Sequence, residues 1–191
     1  MKRIVLFMTL CLALIGQAHA QRYLPAQKGL QFTASAVDGF YLEKGDKQAF
    51  AGGIALSTYT KNGNRWVFGA EYLQKSYGYK TELIPTSQFT AEGGYYYKFL
   101  SDRSKTFFFS IGASAMAGYE TVNWGESLLF DGSTITSDDN FLYGGAVTFE
   151  IETYLSDRIV LLLNVRERIL GGSSINMFHM QIGGGIKFIL N

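Results

Sequence analysis

After its first twenty residues the chain keeps one histidine, His179, the side chain best suited to general acid–base work near neutral pH. A hydrolytic site would also need a nucleophile within hydrogen-bond reach. Ser173 and Ser174 are near in sequence, but their spacing forces no contact, so a packed histidine is the expectation and a lipid-modifying enzyme the alternative. The single Cys11 lies within an N-terminal apolar run, which leaves the rest of the chain without thiol redox chemistry or zinc–thiolate sites. Asp131, Asp138 and Asp139 offer oxygens of the kind calcium takes, yet at a spacing that matches no ligand loop. No phosphate loop or nucleotide fingerprint appears, so the sequence assigns no catalytic residue, no cofactor and no metal, and no small-molecule substrate is expected.

The charged residues carry a different kind of information. Glu71, Lys75, Glu92, Lys98, Glu150, Glu152, Arg166, Arg168 and Lys187 all fall on one parity of segments whose opposite parity is apolar and almost uncharged. That opposite class includes Phe107, Phe109, Ile111, Phe141, Tyr143, Val147, Phe149, Leu161, Leu163 and Phe188. A period of two is the signature of a strand with one polar and one apolar face. About eight such segments are predicted, over 29–37, 49–59, 66–77, 86–99, 106–119, 141–155, 159–168 and 175–190.

Alternation does not by itself say which face points inward. The polar class is too sparse in charge to serve as the water-facing surface of a soluble barrel, and charged residues make up 17% of the chain against about a quarter in ordinary soluble domains. The apolar face is therefore assigned to lipid, and Glu71, Glu92, Glu150, Glu152, Arg166, Arg168 and Lys187 to a paired network filling the lumen. Lipid cannot hydrate open strand edges, so the fold class read here is all-β: an eight-stranded antiparallel up-and-down transmembrane barrel of the outer-membrane type.

The ends of the chain fit that reading. Lys2 and Arg3 precede the apolar run Ile4 to Ile15, and Ala18-His19-Ala20 sets small residues before Gln21, as in a cleaved export signal over residues 1–20. A short periplasmic segment over 21–28 and a barrel domain over 29–191 would follow. Gly185, Phe188 and Leu190 stand at the spacing of a C-terminal barrel-assembly pattern. The connections alternate in length: short and turn-rich over 61–65, 101–105 and 156–158, longer over 38–48, 78–85, 120–140 and 169–174. Outer-membrane barrels keep short turns in the periplasm, which puts both termini there. Tyr95, Tyr97, Phe99, Phe107 and Phe109 around the 101–105 turn would form an interfacial girdle.

The loop over 120–140 holds Glu120, Glu126, Asp131, Asp138 and Asp139 with no Lys or Arg, together with Trp124, Leu128, Leu129 and Phe130. Its acids repel phosphate, so no direct nucleic acid binding is expected. Its apolar residues form a candidate partner-binding surface. Removing Lys2 and Arg3 from the 17 basic residues leaves 15 against 16 acidic, a balance that likewise disfavours wholesale DNA binding.

The stretches QRYLPAQKGL, STYTKNGNRWVFGAEYLQK, FTAEGGYYYKFLSD, SKTFFFSIGASAMAGYETVNWGE, DGSTITSDD, ETYLSDRIVLLLNVRER and GIKFILN resemble the TraO family of conjugative transposon proteins over essentially the whole chain. The resemblance implies a part in the envelope mating apparatus of a conjugative element in Gram-negative anaerobes. It implies other conjugation-apparatus proteins as partners besides outer-membrane lipid, and it brings no catalytic residues. The function expected is a structural or docking component of that apparatus; the alternatives are a lipid-modifying barrel enzyme and an adhesin-like barrel that contacts recipient cells.

Overall fold

A computed structural model of the chain describes residues 25–39, 49–80, 82–136, 139–174 and 176–190. The expected signal segment, Cys11, most of the 38–48 connection and Asp138 lie outside the described residues. Eight antiparallel strands close in sequence order into one barrel. They are β1 (Lys28–Val37), β2 (Ala49–Tyr59), β3 (Arg65–Tyr79), β4 (Glu82–Ser101), β5 (Phe107–Val122), β6 (Asn140–Tyr154), β7 (Ile159–Gly171) and β8 (Phe178–Ile189). Closure is made by β1 on β8, in register from Gly29 opposite Ile189 to Val37 opposite Gln181.

Alternation in the sequence becomes an inside-out barrel. Phe32, Phe68, Phe141, Tyr143 and Leu163 stand exposed on the outer wall, whereas Arg65, Glu152, Arg168 and Lys187 are sealed inside. Among the described residues no helix is long and apolar enough to cross a membrane. The lumen also holds apolar packing. Tyr59, Phe108, Tyr154, Val160, Leu162 and Ile189 plug the end that carries the short turns, while Val37, Ala51 and Leu73, and separately Met116, Leu142, Ala146 and Leu170, pack toward the other.

The turns follow their local chemistry. Asn62 and Gly63 both take left-handed backbone, as the Asn-Gly pair between β2 and β3 predicts, and Thr60 closes the turn by donating from its amide to the Asn64 carbonyl at 2.7 Å. At Gly144 the strands approach so closely that a Cβ would stand 2.0 Å from the Ile169 carbonyl oxygen.

Five strands, β1, β3, β4, β5 and β7, are longer than their sequence patterns indicate. β3 starts at Arg65, β4 at Glu82, and β5 reaches Val122, so Arg65 and Glu120 belong to strands and not to connections. Pro85 would ordinarily stop β4. The last pair between β4 and β5 is Thr86 with Val122, so at Pro85 only β3 is a neighbour and a missing N–H costs least.

Candidate functional site

Two regions hold the residues that could do work: the polar lumen and the rim with its long loop. The lower lumen is built from β2, β3, β5, β6 and β8. Arg65 Nη1 lies 3.1 Å from Glu152 Oε2 and donates to Ser110 Oγ at 3.2 Å, and its Nη2 pairs with Glu150. Lys187 also pairs with Glu152, whose carboxylate accepts the Tyr59 hydroxyl at 2.7 Å. The Arg65 guanidinium lies 4.8 Å from the Tyr96 ring centroid, a cation–π contact on its remaining face.

Above this layer Arg166 joins Glu71 at 3.1 Å and also Glu92, and donates from Nε to Thr148 Oγ1 at 3.0 Å. Arg168 Nη1 reaches Glu71 Oε1 at 3.2 Å, and Gln181 donates to the same oxygen at 3.0 Å. Glu71, Glu92, Glu150, Glu152, Arg166, Arg168 and Lys187 are thus brought into one column, with Arg65 as a further member. Four carboxylates face four cations. Such matching is required here, because a buried charge without a partner costs several kcal/mol.

Arg65 was legible in principle: it extends the inward parity of Val67, Gly69 and Glu71 by one step. Assigning it to the preceding turn hid it. Two members of the polar class lie apart from the column. Lys75 reaches the rim, and Lys98 lies near the short-turn end with its ammonium 5.8 Å from the Phe108 ring centroid. A cavity of about 30 Å³ beside Gln31, Thr33, Ser35 and Arg166 has room for roughly one or two water molecules. The lumen is a packed core.

At the rim, His179 is fully buried, and its Nδ1 lies 2.8 Å from Asp38 Oδ2, which also accepts from Lys75 at 2.7 Å. Burial alone would raise the Asp38 carboxyl, but the hydrogen bonds from Lys75 and His179 hold it below its ordinary value. The two serines near His179 in sequence turn elsewhere. Ser173 Oγ donates to Glu120 at 2.7 Å, and Ser174 donates to the same carboxylate from its backbone amide at 2.7 Å and from its hydroxyl. His179 therefore has a carboxylate that orients it, while the two serines bond to Glu120. Among the described residues, no cluster of His, Cys, Asp or Glu could hold a metal ion.

Glu120 corrects the view of the long loop as uniformly acidic. It is an inward-facing residue of β5, fully buried, and accepts from Gln88 at 2.8 Å. Asp139 accepts the Val122 amide and the Tyr119 hydroxyl, both at 3.1 Å. Asp131 pairs with Lys80 and accepts the Tyr79 hydroxyl at 3.2 Å. The Lys80 ammonium, with the hydrogen bond from the Ser133 amide, holds the Asp131 carboxyl well below the usual carboxylate range. Most of the loop's described acids are structural pins.

The loop itself is ordered around a small hairpin. Leu128 bridges to Thr134, Leu129 donates to the Ser133 carbonyl at 2.8 Å, and Gly132, with φ at 81°, closes the turn. Leu128 and Phe130 project into solvent at 68% and 57% exposure, Trp124 at 60%, while Leu129 is half-buried. The four apolar residues are therefore not equivalent: Leu129 is packing, and the other three form the exposed surface.

Several solved structures are similar to this chain. The crystal structure of Neisserial surface protein A is similar at a TM-score of 0.54 and 12% identity, covering 85% of this chain and 97% of that one. The Ail attachment invasion locus protein of Yersinia pestis, in complex with the heparin analogue sucrose octasulfate, aligns at a TM-score of 0.48 and 11% identity over 85% of this chain and 97% of that one. A de novo designed transmembrane β-barrel aligns at 0.44 and 9% identity over 89% and 100%. No curated protein sequence matches. The first of these likenesses is one of fold, an eight-stranded barrel of the outer-membrane type. The family model "Conjugative transposon protein TraO" matches residues 24–190, and the chain belongs to that family.

Proposed function

We propose that this TraO-family barrel is exported through a cleaved signal, sits in the outer membrane with both termini in the periplasm, and serves as a non-enzymatic structural and docking component of the conjugative mating apparatus. The observation that carries the reading is the division of labour in the molecule. The described lumen is filled by paired side chains around a cavity of about 30 Å³, whereas an ordered hairpin at the rim holds Leu128 and Phe130 out in solvent. Exposed apolar anchors on a pre-ordered loop are what a protein partner binds most cheaply.

Affinity purification of the protein from donor cells in mild detergent tests this. Envelope proteins encoded by the same element should co-purify, and the double variant Leu128→Ser, Phe130→Ser should lose them while still migrating as a folded barrel. Recovery of the same proteins with both forms would remove the hairpin from the docking surface.

A further inference from the structure

Trp124 stands on a turn of unusual backbone. Asn123 and Trp124 both have left-handed backbone, at φ 49° and 57°, ahead of Gly125 at φ 83°. A bulky residue rarely adopts this region, because its Cβ crowds the carbonyl that follows. The turn brings the Trp124 ring against the outer wall of the barrel, where its centroid lies 6.4 Å from that of Phe89. Phe89 is 5.0 Å from Tyr72, and Tyr72 is 6.2 Å from Phe50. These rings form one line across β2, β3 and β4 near their long-loop ends. The outward positions of those strands below them, including Ile54, Phe68, Ala70 and Ala91, bear no charge.

We infer that Trp124 is a membrane anchor, its ring seated in the headgroup layer of the leaflet around the long-loop end of the barrel. An indole suits that layer, with an apolar body for the chains and one N–H for the wet side. The loop is then held at two points: Trp124 on the lipid-facing wall, and Asp131 on Lys80 and Tyr79 at the rim. The inference rests on the membrane reading above and divides the loop's apolar surface, giving Trp124 to lipid and leaving Leu128 and Phe130 for protein.

The chain's only tryptophans are Trp66 and Trp124, which makes the test direct. Trp66→Phe leaves Trp124 as the sole indole, and Trp124→Phe leaves Trp66, which lies on the outer wall 4.9 Å from Tyr95 toward the other end. Each variant is reconstituted without partners into phosphatidylcholine vesicles brominated near the headgroup or deep in the chains, after heat-dependent gel migration has shown that it is a closed barrel. Trp124 emission should be lost to shallow bromine more than to deep bromine and should resist aqueous iodide. Quenching of Trp66 by bromolipid with Trp124 open to iodide alone would overturn the anchor and leave the membrane barrel standing. If neither indole responds to bromolipid, the anchor and the membrane reading fail together.

Discussion

Arg65 and Glu152 are 87 positions apart in the chain and meet at 3.1 Å, both sealed from solvent between the two apolar ends of the lumen. Their contact is possible only once β3 and β6 face each other across a closed barrel, so it reports on closure as well as on charge. Arg65→Ala leaves Lys187 as the cation beside both Glu150 and Glu152, and should cost on the order of 3–5 kcal/mol. Arg166→Ala, which takes the cation from Glu92 but leaves Glu71 with Arg168 and Gln181, should fall toward the lower end of that range. Urea unfolding in detergent micelles measures both. Combining Arg65→Met with Glu152→Leu should recover much of the loss, since both partners then leave together; an unchanged midpoint for Arg65→Ala alone would mean that water reaches this layer.

The turn between β4 and β5 is expected to respond to acid. Burial works to raise the Asp102 carboxyl, but hydrogen bonds from Ser104, Phe107 and Thr106 outweigh it and hold the group below its ordinary value of 3.8. A lowered folded value means that ionised Asp102 stabilises the turn fully above that pH, and that the contribution is lost as pH falls through the lowered value. The amide shifts of Thr106 and Phe107, which donate to Asp102 Oδ1 at 2.8 and 2.9 Å, should therefore titrate below pH 3.8. In Asp102→Asn that transition should disappear.

Lys80 and Tyr79 decide whether the outer hairpin stays in place. Replacing them with Ala and Phe removes the hydrogen bonds that, among the described residues, tie the Asp131 carboxylate to β3 and its turn. Chymotrypsin should then cut near Leu128 and Phe130 faster, with no change in the heat-dependent migration of the barrel. High salt should do part of the same work on the unmodified protein, because the Lys80 side chain is 57% exposed and its ion pair is screened. Equal cleavage rates in all three conditions would show that the backbone bonds of the hairpin suffice alone.

Transfer frequency separates docking from catalysis. Leu128→Ser with Phe130→Ser should lower it about ten-fold or more, as the loss of ~2 kcal/mol at a binding hot spot implies. His179→Ala should leave transfer nearly unchanged, because its visible task is to hold Asp38 at the top of β1. Loss of transfer in a well-assembled His179→Ala barrel, with the hairpin variant normal, would favour enzymatic action at the rim.

Strand count, polarity and closure were written into the residues themselves. Side chains on a strand alternate with a period of two, so inward Glu71 and outward Tyr72 are distinguishable without coordinates, and the Asn62-Gly63 turn follows from local backbone chemistry. The lumen set could be named on the same ground. Partner choice could not: parity says that Arg166 points inward, but only the stagger of the strands puts Glu71 and Glu92 within its reach while giving Glu150 and Glu152 to Arg65. The strand ends were equally a tertiary matter. Arg65 and Glu120 look like turn and loop residues along the chain, and become buried charges because neighbouring strands run long enough to cover them. The character of the outer loop was decided the same way, since its acids share one stretch of sequence, yet in space Glu120 accepts hydrogen bonds from Gln88 of β4 and Ser173 of the β7–β8 connection, and Asp131 pairs with Lys80 in the turn after β3. Periodicity is a local property of one strand; pairing across a barrel depends on how all eight are staggered, and a single chain read along its length does not contain that distance.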